Sequence, residues 1–308
     1  MPLSAELAAQ MPPEVNSAAE ANNLAESIAD RHGSVISADQ TCLFYRYWPA
    51  EKNGNGHVVI VLHGIGYQSG PYQVIADGLN PSGIDVYGLD ARGHGLSGGQ
   101  RGYLGTPALV VEDVAAMVQF VKRQRPAAKV FLMGDSMGSN YALAYAREHS
   151  GELAGLVLLA PAFYVDPSQF FHWESLRLMP YFFLAHRRPV IDLLGKRLEE
   201  STRDPNFVAA RRRDPLAYKK VSFGYVLDIQ RLIWNWRRQI APRVRIPILM
   251  IKGERDRVVS QSDCLTFARI SASPDKQLKM YPGVYHTTLW DPQTPEILHL
   301  AAEWIGQR

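Results

Sequence analysis

From about residue 34 onward, apolar and polar positions fall into two alternating rhythms. Short β-branched runs recur as "HVVIVLHG", "GIDVYGLD", "KVFLMG" and "AGLVLLAPA", and again after a gap as "IPILMIKG" and "QLKMYPG". Such nearly continuous apolar runs are what strands buried on both faces look like. Between them lie stretches with helical spacing: "PYQVIADGLN", "TPALVVEDVAAMVQFVKRQ" with Thr106 at its head, "SNYALAYAREHS", the region of "SDCLTFARI", and the closing "PEILHLAAEWIGQR". Ahead of them all, "SVISADQTCLFYRYWPA" predicts two short strands joined by a polar turn. Strands alternating with helices predict an α/β fold, with a mostly parallel central sheet of about eight strands and helices on both faces.

Two segments depart from this rhythm. Residues 1–32 are alanine-rich, and the spacing of Leu7, Leu24 and Ile28 predicts a loose, peripheral helical extension. After the sixth strand, residues 161–241 are rich in aromatics and arginine, as in "PYFFLAHRRP", "ARRRDP" and "RLIWNWRRQ". Nothing there reads as a buried strand, so the expectation is a helical cap inserted into the α/β core, far longer than an ordinary loop. The core is then residues 33–160 and 242–308.

Composition narrows the classes. The chain has 308 residues, 46% of them hydrophobic and 20% charged, which suits a globular protein with ample core. A formal net charge of +3 is too small to argue for nucleic acid. The first thirty residues carry five acids and no unbroken apolar stretch, so a cleaved secretory signal is not expected. The two cysteines, Cys42 and Cys264, are too few for a disulfide framework or a zinc site and read as small buried hydrophobes in a reducing, cytoplasmic setting.

The candidate chemistry begins with a serine. G-x-S-x-G occurs twice, around Ser97 in "GLSGG" and around Ser136 in "GDSMG". The pattern is informative only between a buried strand and a helix, where a sharp turn exposes the hydroxyl. Ser136 follows "VFLM" and precedes "SNYALAYA", whereas Ser97 follows "DARGH" and reads as a turn residue. A serine nucleophile needs a base, and the base an orienting acid, in the chain order Ser, Asp or Glu, His. Of nine histidines, five follow Ser136. His149 ends the next helix, His172 and His186 lie in the insertion, and His299 in "EILHLAAEW" reads as a packed helix residue. His286, in the loop "YPGVYHTTLW" after the last strand, is the candidate base. "ILMIKGERDRVV" offers Asp256 and Glu254 as the acid, with Asp256 preferred for its Gly-x-x-Asp loop. Acyl transfer also needs oxyanion donors. The backbone N–H groups of Met137 and of Ile65 in "HGIG" are the candidates. A dinucleotide-binding reading of "HGIGYQSG" fails because Ser69 stands where the third glycine is required.

Together these residues resemble the α/β-hydrolase superfamily, and within it the monoacylglycerol lipase and lysophospholipase-like group of serine aminopeptidase-type hydrolases. "HGIG", "LDARGHGLS", "GDSMG", "GERDRVV" and "GVYH" match that group's motifs in order, and "STRDPNFVAARRRDPL" resembles its cap. The similarity covers roughly residues 35 to 305. It implies the α/β-hydrolase fold, with Ser136 as nucleophile, Asp256 as orienting acid, His286 as base, and Ile65 and Met137 as oxyanion donors. Asp90, Arg92 and His94 resemble a structural turn beside the site.

The expected activity is serine carboxylic-ester hydrolysis on monoacylglycerol-like monoesters, with no metal or organic cofactor. Small-ester or aryl-ester hydrolysis, phthalate monoesters included, is the alternative, and a non-catalytic binding protein of the same fold is the reading from another class. Phe170, Phe171, Trp173, Leu176, Leu178, Met179, Tyr181, Phe182, Phe183 and Leu184 adjoin Arg187 and Arg188, and Arg211, Arg212, Arg213, Lys219 and Lys220 follow. That apolar stripe suits either packing of the cap against the sheet domain or peripheral contact with an anionic membrane surface.

Overall fold

The computed structural model describes residues 31–50, 54–163, 183–192, 198–234 and 236–308. The helical extension expected before residue 31, and the aromatic run from Phe170 to Phe182, lie outside the described residues.

Eight strands form one sheet: β1 (His32–Ile36), β2 (Cys42–Trp48), β3 (His57–Leu62), β4 (Asp85–Leu89), β5 (Lys129–Asp135), β6 (Gly155–Leu159), β9 (Ile248–Gly253) and β10 (Lys276–Tyr281). Their spatial order is β1-β2-β4-β3-β5-β6-β9-β10. Strand β2 runs antiparallel to both β1 and β4, and the remaining pairs are parallel. The mostly parallel sheet expected from the apolar runs is therefore present, with β1 and β10 at its edges.

Alternation sorts the two faces, because successive side chains on a strand point to opposite sides. Val58, Ile60 and Leu62 of β3 and Val130 and Leu132 of β5 join one apolar cluster. It is covered by α2 (Pro107–Gln124), α3 (Met137–His149) and α6 (Gln261–Ile270). Val59, Val61, Phe131 and Met133 point the other way, against α1 (Gln73–Leu79) and α7 (Thr294–Gly306). Thr106 caps α2 by accepting from the Leu109 N–H at 3.3 Å, Pro107 occupies its first turn, and Lys122 and Arg123 sit at its negative end. Its buried stripe, Val110, Val111, Val114, Met117, Val118 and Val121, has the spacing of one helical face. Cys42 and Cys264 are both fully buried in this packing.

Between β6 and β9 the chain makes a long excursion. Its described elements include α4 (Pro205–Arg213), capped by Asp204, and α5 (Phe223–Ile233), capped by Ser222, followed by a wide helical turn at Trp236–Ile240. The expectation of helices alone is corrected here. A two-residue antiparallel ladder joins β7 (Ile191–Asp192) to β8 (Lys220–Val221), too short to register as a strand pattern in sequence. His299 is a second correction. The buried positions of α7 are Ile297, Leu298, Ala301, Ala302 and Ile305, and His299 falls off that stripe. Its side chain is 72% exposed, beside Glu303 at 3.3 Å. Among the described residues no helix is long and apolar enough to cross a membrane.

Candidate active site

The C-terminal ends of β3, β5, β9 and β10 converge, and each carries one element of the site. In open parallel sheets this edge is where ligands bind. At the end of β5 the chain turns sharply into α3. Ser136 takes up this turn with φ 50 and ψ −109, a left-handed conformation that costs energy for any side chain. The turn is held by backbone bonds: the Ser136 N–H donates to the Leu159 carbonyl at 2.8 Å, and the Ser136 carbonyl accepts from Ser139 at 3.2 Å and Ala162 at 3.3 Å. Gly138 is required by close approach, since a Cβ there would overlap the Leu62 carbonyl, and a Cβ at Gly134 would strike Gly138 itself. The glycines flanking the serine thus let the helix pack onto the neighbouring strand.

His286 comes from the loop after β10 and Asp256 from the loop after β9. His286 Nε2 lies 2.9 Å from Ser136 Oγ, and His286 Nδ1 lies 2.9 Å from Asp256 Oδ2. The carboxylate can only accept, so Nδ1 carries the proton and Nε2 is the lone-pair nitrogen that faces the serine hydroxyl. Burial lowers the affinity of His286 for a proton, yet the charge and hydrogen bond of Asp256 outweigh it and hold the imidazole above its ordinary value. Burial would raise the Asp256 carboxyl; His286 and Lys252 together hold it far below the usual carboxylate range instead. Asp256 Oδ1 accepts the N–H groups of Val258 at 2.8 Å and Val259 at 3.1 Å, which fixes the carboxylate plane. Glu254 is exposed and only its backbone joins the fold, donating to the Tyr281 carbonyl at 3.0 Å.

As the first residue of α3, Met137 has an N–H with no intrahelical acceptor. Ile65 follows β3 in a loop built from side chains. The His63 ring accepts the Ala91 N–H on Nε2 at 3.0 Å, so its Nδ1–H donates to the Gly64 carbonyl at 2.8 Å. The Gly64 N–H donates to the Tyr72 hydroxyl at 2.9 Å, which donates in turn to Asp135 Oδ2 at 2.5 Å. Burial raises the Asp135 carboxyl, against the lowering influence of the Tyr72 hydrogen bond, His286 and Arg211. From the far side, Arg211 of α4 donates to the Ile65 carbonyl at 2.9 Å and stacks on the Tyr67 ring at 4.0 Å.

Other sequence candidates are used structurally. Ser97 is buried, donates to the Asp90 carbonyl and accepts the Phe44 N–H at 2.8 Å. Asp90 accepts from the Ser69 and Leu96 backbones at 2.6 and 2.8 Å. Arg92 pairs with Asp113 and Asp39, and His94 meets the Tyr218 hydroxyl at 2.5 Å. Arg211, grouped by its sequence with a basic surface, is instead buried, while Arg212, Arg213, Lys219 and Lys220 are exposed. Helical spacing carried that signal, because Phe207, Val208 and Arg211 share one face of α4. Lys252, Tyr72 and Asp135 also escape a motif search. Among the described residues, no three His, Cys, Asp or Glu side chains converge as a metal site requires.

A strand-to-helix turn carrying a half-buried serine in a left-handed conformation, at the carboxyl edge of this mixed sheet, defines an α/β-hydrolase. Residues 55–293 match the family model described as serine aminopeptidase, S33, and the chain belongs to that family of hydrolases. It is 30% identical over 281 residues to a monoglyceride lipase of Rattus norvegicus, covering 89% of this chain and 90% of the relative. It is 28% identical over 264 residues to a monoacylglycerol lipase of Mycolicibacterium smegmatis, covering 85% and 92%. Its fold superposes with a TM-score of 0.74 on the crystal structure of a soluble variant of monoglyceride lipase from Saccharomyces cerevisiae in complex with a substrate analog. That pair is 22% identical, with 89% of this chain and 93% of the other covered.

Proposed function

We propose that this chain is a serine carboxylic-ester hydrolase that acts through an acyl-enzyme on monoacylglycerol-like monoesters. The observation that carries the reading is the chain of contacts from Ser136 Oγ to His286 Nε2 and from His286 Nδ1 to Asp256, 2.9 Å each. Ser136 Oγ attacks the ester carbonyl carbon as its proton passes to His286 Nε2. The tetrahedral oxygen, now negative, meets the N–H groups of Ile65 and Met137, aided by the positive end of α3. The C–O bond to the alcohol breaks, and the alcohol leaves with the proton from His286. Water then gives a proton to His286, attacks the acyl carbon, and frees the carboxylic acid while Ser136 regains its hydrogen.

The choice of substrate class rests on the relatives' names and on the excursion after β6. We assign residues 161–241 as a cap over a core of residues 33–160 and 242–308, with residues 1–32 as an extension. An open cavity of about 700 Å³ in that excursion is lined by Phe163, Ile233, Trp234, Trp236, Arg237 and Arg238, among others. None of Ser136, Asp256, His286, Ile65 or Met137 lines it, so the acyl-length expectation rests on the relatives' names. Phe183, Leu184 and Trp234 are exposed in the same segment as many arginines, which supports peripheral contact with an anionic membrane from the cytoplasmic side.

A fluorophosphonate probe should label the native chain at Ser136, and Ser136→Ala should abolish the labelling. Across a panel of monoesters, kcat/KM should rise with acyl length, each buried methylene adding up to ~0.8 kcal/mol. Co-sedimentation with anionic vesicles should weaken with salt. Best activity on acetyl and butyryl esters, with no vesicle binding, would make the chain a small-ester carboxylesterase. An unreactive Ser136 would make it a binding protein.

A further inference from the structure

Strand β9 breaks its own pattern. Ile248, Met250 and Lys252 share one side by alternation, and the first two belong to the apolar cluster that also holds Cys264 and Phe267 of α6. A third apolar residue is expected there, yet the position holds a lysine whose side chain is 0% exposed. Burying an ammonium is expensive unless it is paired and hydrogen-bonded. Lys252 Nζ donates to Asp256 Oδ2 at 2.6 Å and to the Val259 carbonyl at 2.9 Å. That same Oδ2 receives His286 Nδ1 at 2.9 Å, while Oδ1 is filled by two backbone N–H groups. Lysine and histidine therefore divide one carboxylate oxygen.

We propose that Lys252 is a positioning residue that pins Asp256 and draws off part of the charge supporting the His286 imidazolium, so that the base stays neutral at lower pH than the Asp256–His286 pair alone would allow. The inference rests on the triad reading above. The charged groups that act on His286 are Asp256 and Lys252 at the end of β9 and Asp135 at the end of β5, which Arg211 also faces. The two aspartates favour protonation of His286, and Lys252 opposes it. On the other side of Lys252 stand groups of α6: the Cys264 thiol, pushed up to about 12 mainly by burial, and Asp263, which is paired with Arg237.

Two substitutions separate charge from packing. Lys252→Met keeps the volume and removes the charge, whereas Lys252→Gln keeps a donor for Oδ2. Both should move the acid limb of kcat/KM upward by about one pH unit, a tenfold loss of rate below the limb. NMR titration of the His286 imidazole in a Ser136→Ala background, where no turnover is needed, should show the same shift. In the unmodified chain the Lys252 Nζ resonance should follow the His286 titration, a readout that survives if either variant fails to fold. The proposal is overturned if the Lys252→Met limb and imidazole titration stay in place, if Lys252→Gln titrates like the native chain, or if the Nζ resonance ignores His286. Full turnover by Ser136→Ala would instead remove the triad reading beneath it.

Discussion

Ser136 and the loop bearing Ile65 lie against one another, yet they are held by different means. Ser136 is fixed by the sheet itself: its N–H and carbonyl bond to the backbone around β6 and α3, and Gly138 lets the helix touch Leu62. The 63–69 loop is held by side chains, several from the excursion between β6 and β9. Arg211 grips the Ile65 carbonyl, Asp214 accepts from Gln68 at 3.1 Å, and Tyr218 meets His94, whose ring packs 4.8 Å from that of His63. The proposed nucleophile therefore depends on the scaffold, whereas the proposed oxyanion loop also depends on where the excursion docks. Chemistry and its electrostatic support can be broken separately.

The largest effects should come from the scaffold side. Ser136→Ala and His286→Ala should each lower kcat by on the order of 10⁶. Asp256→Asn should cost about 10⁴, because the amide favours the wrong imidazole tautomer. Circular dichroism melts should show all three chains folded; a Ser136→Ala chain with substantial turnover would refute the assignment. On the loop side, Arg211→Met should lower kcat by up to ~10², the loss expected when one oxyanion donor drifts. Probe labelling of Ser136 should persist in that variant, and equal turnover in the two chains would show that the loop stands without the arginine.

The pH response follows from His286. Its folded-state proton affinity is raised above the ordinary 6.5, and acylation needs the neutral ring, so kcat/KM should fall on the acid side with a limb above pH 6.5. Stability has the opposite sense for this group. The extra affinity stabilises the fold fully below pH 6.5 and is lost as pH rises through the folded value. Asp256 is depressed, so its contribution is present above pH 3.8 and is lost only as pH falls through its folded value. A kcat/KM that holds level from neutral to acidic pH, with the chain still folded, would exclude a histidine base. The smallest effect belongs to Ser97→Ala, which should destabilise by about 1–2 kcal/mol through two lost buried hydrogen bonds and leave kcat intact.

The same division governs what could be read in advance. Strand ends announce themselves, so an apolar run stopping at "GDSMG" points to Ser136, and the loops after "ILMIKG" and "QLKMYPG" point to Asp256 and His286, three side chains that the structure joins through successive contacts of 2.9 Å. Glu254 stays in contention in the sequence because sequence does not say which carboxylate turns inward; the structure turns Asp256 inward onto the Val258 and Val259 N–H groups and leaves Glu254 exposed. Arg211 and His299 went astray for one reason. A residue was judged by its neighbours in the chain rather than by its helical face, where Arg211 joins Phe207 and His299 leaves Ile297 and Ala301. Lys252 was visible as a charge on an apolar strand, but its partner lies four residues on, around a turn that no periodicity describes.

The outer strand β10 carries a further consequence. Among the described residues its outer edge has no neighbouring strand in the sheet, and such an edge is a template for pairing with another chain. "KQLKMY" is largely exposed and places Lys276 and Lys279 on opposite faces of that edge strand, with the Lys276 ammonium donating to the Ser271 carbonyl at 2.6 Å. Two such edges brought together would gather four lysines at the seam, a charge penalty against sheet-to-sheet aggregation. Charge on this rim therefore opposes self-recruitment, and crowded or partly denaturing conditions are where that opposition counts.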